Sequence, residues 1–443
     1  MRLTAEGPDP RWAAAAVAVC GFAVAYLTGG AIDDRVRAAV GAVTLIAVVA
    51  AASRDLRRVA WRTVGWGIAL QVLFALFILR FEIAGVRPGY ALFSAIAEGA
   101  RRFLEFSAAG ALFVFGPLAD PEALGAVLPS GFVFAFTALP AIIFISSFFT
   151  VLYYLGVLQA LVGLMARAMV HVMGTSGAET LSAAANVFMG QTEAPIIVRP
   201  YISGMTQSEL LALMVGGLAT ISGSVMAVYI GLGGDAIAIL TTSVMAAPCG
   251  LYLAKILWPE TVEPATRGGV RLVVEREHVN VVDAAASGAS QGITLALNVA
   301  AVLIAFLAFL AMIDYLLGLA VDGLSLAALF GWIFAPVALL LGAPLADVPA
   351  LADLLGTKLV ATEFVAYVKL TTEYRETLDP RTYTLAAYAL TGFANFGSIG
   401  IILGGVGALA PDRRQDHARL GGRALLGGFV ATLVNTCVAA MLI

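Results

Sequence analysis

Charge is what this sequence has least of. Only 12% of its 443 residues are Asp, Glu, Lys or Arg, against about 25% in soluble globular proteins. So few charges cannot cover a water-facing surface, which excludes an ordinary soluble enzyme. The net charge of −3, with both signs thinly spread, leaves no basic face, so no nucleic acid polymer is expected as a partner. Cysteine is scarce: Cys20, Cys249 and Cys437 lie far apart without C-x-x-C spacing and read as small buried residues, not a disulfide frame or metal site. His171, His278 and His417 are too scattered for zinc, and no H-E-x-x-H is present. None of Lys255, Lys358 and Lys369 follows a glycine, so no phosphate-cradling loop supports direct ATP drive. Any active work must draw on an ion gradient, and no organic cofactor is expected.

What the chain has in quantity is apolar sequence, 60% of it. A hydrocarbon core needs roughly 20 apolar residues in helix, and such windows recur at 13–32, 38–53, 63–79, 132–157, 210–234, 236–254, 292–313, 324–341, 383–410 and 424–443. They predict a polytopic helical membrane protein. The first window has a secretory signal as its alternative, although Glu6 and Asp9 dilute its positive flank. Arginines at 54, 57, 58 and 62, and at 413, 414, 419 and 423, mark two loops as cytoplasmic. The N-terminus is then expected inside and the C-terminus outside. Residues 90–115 carry Glu98, Arg101, Arg102 and Glu105 among apolar neighbours, the pattern of an interfacial amphipathic helix. Residues 260–280 form the clear polar linker, and its Glu275-Arg276-Glu277-His278 run reads as a solvated loop.

Polarity enters the apolar segments at two matching places. The first is Asn186-Val187-Phe188-Met189-Gly190-Gln191-Thr192-Glu193-Ala194-Pro195. Pro195 removes a backbone donor and Gly190 permits a sharp excursion, so the stretch suits the tip of a re-entrant hairpin. The second, 356–367, places Glu363 in a run too interrupted to span. Each precedes a glycine-rich apolar span, with Gly216, Gly217 and Gly223 in one and Gly392 to Gly400 in the other. Paired short hairpins and broken spans in two halves point to a secondary transporter with a midplane site. A carboxylate at membrane depth costs a few kcal/mol, which favours a functional role for Glu193 and Glu363; an ion pair with Arg199 is the plainer alternative. Asn395 and Ser398 read equally well as interhelical glue, and the glycines as close-packing contacts.

These stretches resemble the concentrative nucleoside transporter family from near Ala39 to the C-terminus. The resemblance is carried by Ala185-Asn186-Val187-Phe188, Gly190 to Pro195, Arg199-Pro200-Tyr201, Met205 to Leu210, Met245-Ala246-Ala247-Pro248, Glu363-Phe364-Val365-Ala366-Tyr367 and Gly392-Phe393-Ala394-Asn395-Phe396. It implies an all-α integral membrane fold: a polytopic helical bundle with two re-entrant hairpins, two broken helices and interfacial helices, assembled as a homotrimer in the bacterial inner membrane. The expected organisation is an extra N-terminal helix in 1–37, scaffold and interfacial helices in 38–130, and a first core half in 131–258 with its hairpin near 181–200 and broken helix at 208–234. A polar linker with an interfacial helix follows in 259–291. The second half, 292–443, has its hairpin near 345–370, its broken helix at 383–410 and the last span.

The same resemblance implies residue roles. Gln191, Thr192 and Val225 would contact a nucleobase with Glu193 beside it, and Glu363, Asn395 and Ser398 would hold the ribose hydroxyls under Phe393. A sodium ion would be held by the side chains of Asn186 and Thr220 and the carbonyls of Met189 and Ile221. The chemistry suits these parts, because an amide matches a base edge with donor and acceptor while a carboxylate accepts from two vicinal hydroxyls. The implied function is sodium-coupled nucleoside import by elevator-type alternating access. A proton-coupled symporter is the alternative; an intramembrane hydrolase pairing Glu193 with Glu363 and a passive channel are further ones. Two departures stand out. Gly397 replaces a serine of the family's common F-S-S-I run, and the small Gly190 goes, in the family, with room for purines as well as uridine-like pyrimidines.

Overall fold

The computed structural model describes residues 9–120, 123–124, 133–267, 278–321 and 324–443. Among them every element is helical apart from an isolated bridge between Ile83 and Val86. Seven helices in this set are long and apolar enough to cross a membrane. The Glu275-Arg276-Glu277 run lies outside the described residues.

Helix α1 (Pro10–Thr28) begins on an Asp9 cap whose carboxylate accepts from the Arg11 backbone N–H at 3.0 Å. It packs on α2 (Asp34–Ala51), where Gly21 lies against Thr44, so the boundary expected at 37/38 falls in the first turns of α2. Then come α3 (Trp61–Leu79) and α4 (Pro88–Phe115). The stretch expected at the interface, 90–115, lies within α4, one unbroken helix of 28 residues that is also long and apolar enough to cross. Helices α5 (Phe134–Tyr154) and α6 (Val157–Met173) meet at a 70° bend. Gly156 makes that bend with φ of +80°, a conformation that side chains with a Cβ resist.

The first core half contains α7 (Gly177–Ala185), the short α8 (Ala194–Ile197) and α9 (Arg199–Ile202), then α10 (Gln207–Ala219), α11 (Gly223–Gly231) and α12 (Ala236–Leu257). Reciprocal caps start α7, through Ser176 and Glu179, and α10, through Thr206 and Glu209. Next is α13 (Val281–Ala320), a single helix of 40 residues. It corrects the expectation of a separate interfacial helix ending at 291. Gly288 and Gly292 do not break it but allow α5 to approach: an added Cβ would sit 2.7 Å from Cα of Ser147 and of Ile143, respectively. Helix α14 (Leu326–Leu340) runs only 15 residues, starting at the Ser325 cap and ending before Gly342. At about 22 Å it is too short to be the full span expected at 324–341.

The second half repeats the arrangement with α15 (Val348–Val360) and α16 (Glu363–Thr372), then α17 (Pro380–Leu390) and α18 (Phe396–Leu409), and closes on α19 (Arg414–Ala440). Helices apolar all round must be enclosed by protein or lipid, and burial sorts them. The segment 207–231 is 94% buried, whereas α13 is 6% buried. The first broken span and α17 therefore lie in the interior, α18 keeps an exposed face that includes Phe396 and Ile401, and α13 turns its apolar surface outward.

Both arginine-rich loops lie at one end of the bundle. Arg54 and Arg423 place their guanidinium carbons 4.1 and 5.2 Å from the Trp258 ring centroid. The start of α1 is at the same end, with Arg11 reaching the Ser53 carbonyl. The C-terminus is at the other end, where Arg35 donates to the Ile443 carbonyl at 3.1 Å and Arg381 to the Ala440 carbonyl at 2.9 Å.

Candidate substrate and ion site

Both interrupted spans break near their middles, and the breaks touch. The first runs through Thr220-Ile221-Ser222 and the second through Thr391 to Asn395. The Phe393 N–H donates to the Thr220 carbonyl at 3.1 Å. At Gly392 (φ +154°) an added Cβ would crowd Thr432 and the carbonyls of Leu218 and Ala219. In the first span the glycines are contact points instead of breaks. Gly216 faces the Asn186 amide, Gly217 faces Gln191, and Gly223 donates to the Phe188 carbonyl at 2.9 Å.

One hydrogen-bonded chain joins residues from the two halves. Gln191 Nε2 donates to Ser398 Oγ at 3.4 Å, and the Ser398 N–H donates to Asn395 Oδ1 at 2.8 Å. Asn395 Nδ2 then donates to Glu363 Oε2 at 2.8 Å. Asn395 thus caps α18 with its oxygen while holding Glu363 with its nitrogen. Glu363 is the first residue of α16, where the helix dipole favours a negative charge. All four residues are buried, and Gln191 Oε1 has no hydrogen-bond partner.

Thr192 packs on α18, where an added Cβ at Gly405 would lie 2.9 Å from its methyl. Val225 and Phe393 are partly buried against the core. Glu193 does not join the chain. Its carboxylate accepts from the Gly190 N–H at 3.1 Å, makes no ion pair with Arg199, and faces a cavity bordered by Ser146 and Phe149 of α5, Gln291 of α13, and Ser224 and His278.

The residues expected around sodium gather at two helix C-termini. Asn186 is the C-cap of α7 and Thr220 the C-cap of α10, so both sit where unsatisfied carbonyls and the negative dipole end favour a cation. Asn186 is fully buried, and neither its oxygen nor its nitrogen has a protein partner. It faces Gly216, whose carbonyl accepts from Thr220 Oγ1 at 2.9 Å, which places the two side chains in one neighbourhood. Met189 and Ile221 are buried in the adjoining loops. A buried amide without partners normally costs of order 1–3 kcal/mol, and a cation at its oxygen would relieve part of that. The donor set fits a hard cation.

Reading the sequence alone missed two neighbours of Glu363. Tyr229 donates to Glu363 Oε1 at 3.1 Å; the signal was available, since it lies one turn beyond Val225. Lys358 is fully buried and donates to the Ala389 carbonyl at 2.7 Å and Thr432 Oγ1 at 2.8 Å. A lysine five residues before Glu363 in an apolar run was itself a cue.

Comparisons with known proteins agree over nearly the whole chain. Models described as the Na+ dependent nucleoside transporter N-terminus, nucleoside recognition, and the Na+ dependent nucleoside transporter C-terminus match residues 40–118, 135–236 and 238–440. Sodium/nucleoside cotransporter 1 of Mus musculus is 41% identical over 423 residues, covering 91% of this chain; the chain spans 63% of that protein's length. An uncharacterized transporter of Haemophilus influenzae is 42% identical over 91% of this chain and 96% of its own length. The structure of CNTnw in an inward-facing substrate-bound state superposes with a TM-score of 0.87 at 38% identity, over 92% of this chain and 97% of that one.

Proposed function

The chain belongs to the Na+ dependent nucleoside transporter family, and from that premise we propose that it imports nucleosides, uridine among them, coupled to sodium entry. The observation that carries this reading is the chain from Gln191 through Ser398 and Asn395 to Glu363, because it sets an amide for a base edge and a carboxylate for vicinal hydroxyls in one buried cluster. Gln191 Oε1 without a partner is the acceptor left for a donor on the base. Thr192, Val225 and Phe393 shape its surroundings, and Glu193 reads the base from the cavity side.

Sodium is the co-substrate, held by Asn186 and Thr220 with the carbonyls of Met189 and Ile221. The polarity of the helices supports this division. C-termini of α7 and α10 meet at the ion residues, whereas N-termini of α11, α16 and α18 meet around the organic substrate. Inward movement of one positive charge contributes about 2.3 kcal/mol per 100 mV, about fiftyfold in concentration ratio.

Transport proceeds by an elevator-type shift of the hairpins and broken helices past α5 and α13. The cavity facing Glu193 lies along that boundary and supports the assignment. The protein works as a homotrimer in a bacterial inner membrane, with the arginine-rich end cytoplasmic and the C-terminus periplasmic. The outward apolar surface of α13 suits lipid or a neighbouring copy. Purines enter as well as pyrimidines, a reading supported by the small Gly190, since in the family a small residue at that place goes with room for purines.

In proteoliposomes, labelled uridine should accumulate with saturation when sodium is high outside, and accumulation should collapse when the sodium gradient is dissipated. Uptake that ignores sodium but follows a pH gradient would refute sodium coupling and favour the proton symporter. Equilibration without concentration would indicate a channel, and altered product inside would indicate a hydrolase.

A further inference from the structure

We propose that Tyr229 is a positioning residue for Glu363, holding the carboxylate so that each oxygen keeps acceptor capacity for the two vicinal hydroxyls of a ribose. This rests on the nucleoside reading of the site and adds a residue and a selectivity to it.

A carboxylate offers two oxygens and about four acceptor positions. Tyr229 OH occupies one on Oε1 at 3.1 Å, and Asn395 Nδ2 one on Oε2 at 2.8 Å. Of the side-chain hydrogen bonds to Glu363, one falls on each oxygen, so the two oxygens keep acceptor capacity and together form a fork matched to a cis-diol. With either donor missing, the carboxylate is free to turn, and both of its remaining contacts loosen together.

The tyrosine is itself held in place. It is fully buried, stacked on Tyr367 with centroids 4.0 Å apart and 18° between planes, and meets Phe364 edge-on at 5.5 Å. Tyr367 is anchored in turn, donating to the Ala387 carbonyl at 2.8 Å and lying 2.7 Å from Thr391 Oγ1. Phe364 and Tyr367 share α16 with Glu363, so the helix that presents the carboxylate also grips the ring that aims it. Tyr229 comes from α11, directly after the break that carries Thr220 and Ile221. Glu363 is thereby oriented from both halves of the molecule.

The test is Tyr229→Phe, which keeps the stacked ring and removes only the hydroxyl. Uridine uptake into proteoliposomes and uridine binding by calorimetry are measured at saturating sodium, with 2′-deoxyuridine and 3′-deoxyuridine alongside. The uridine KM and Kd should rise about tenfold with maximal rate nearly unchanged, as expected for one lost hydrogen bond to a charged group. Preference for uridine over the deoxy forms should fall by a similar factor. Adding Tyr229→Phe to Glu363→Gln should cost nothing beyond Glu363→Gln alone. Asn395→Ala, which strips the donor from the other oxygen, should show the same loss of diol preference and serves if Tyr229→Phe fails to fold. A Tyr229→Phe protein with wild-type KM and wild-type discrimination, in a protein that transports uridine, overturns the inference alone. A wild type that neither binds nor carries uridine overturns the nucleoside reading and the inference with it.

Discussion

At the scale of single residues, the buried side-chain polar atoms without a hydrogen-bond partner include Asn186 and Gln191 Oε1 at the candidate site, together with others away from it such as Gln159 Oε1 and both ring nitrogens of His417. Glu179, by contrast, meets Lys255 at 2.7 Å, and Lys369 reaches Asp353 at 2.5 Å. Because the Asn186 side chain makes no hydrogen bond to protein, Asn186→Ala removes none. Its thermal unfolding midpoint in sodium-free buffer should stay close to wild type, while the half-saturating sodium concentration for uridine uptake rises about tenfold or more. Unchanged sodium activation would remove Asn186 from the ion site. Glu193 and Glu363 stood out in the sequence as carboxylates in apolar runs, yet their surroundings differ. Glu363 is held from two sides, and Glu193 looks into a cavity. Nothing in one dimension separates them, because the distinction lies in what neighbouring helices bring.

At the scale of elements, glycine-rich composition pointed to both broken spans, but the place and cause of each break were only half legible. Gly216, Gly217 and Gly223 drew attention as breakers and are places of close approach; the chain actually departs from helix at Thr220 and Ile221. Gly392 does both, adopting a positive φ and abutting the end of α10. Gly392→Ala should therefore cost about 1–3 kcal/mol through backbone strain and overpacking. A lower unfolding midpoint in detergent and loss of uridine uptake are the expected outcomes. A variant as stable and active as wild type would show that the junction tolerates separation. Helix α13 went the other way: an interfacial helix was expected to end at 291, but Gly288 and Gly292 lie against α5 inside one 40-residue helix.

At the scale of the whole molecule, two arginine-rich loops more than 350 residues apart in sequence stack on the same tryptophan, Trp258. That places both arginine-rich loops at one end, with the C-terminus at the other. In a bacterial host, a fluorescent protein fused before α1 should mature and fluoresce. An alkaline phosphatase fused after Ile443 should be active, and inactive phosphatase there would reverse the orientation.

The sequence by itself determined the solvent, the number of chemically odd places and their residue types, because hydropathy, rare intramembrane charge and proline are local properties that no later packing can undo. Only the tertiary structure decided which of those places meet. It put the Thr220 carbonyl against Phe393, Gln191 against Ser398 and Tyr229 against Glu363. Such contacts depend on the close approach of helices distant in the chain, a geometry set by small residues facing one another and not by any single segment's composition.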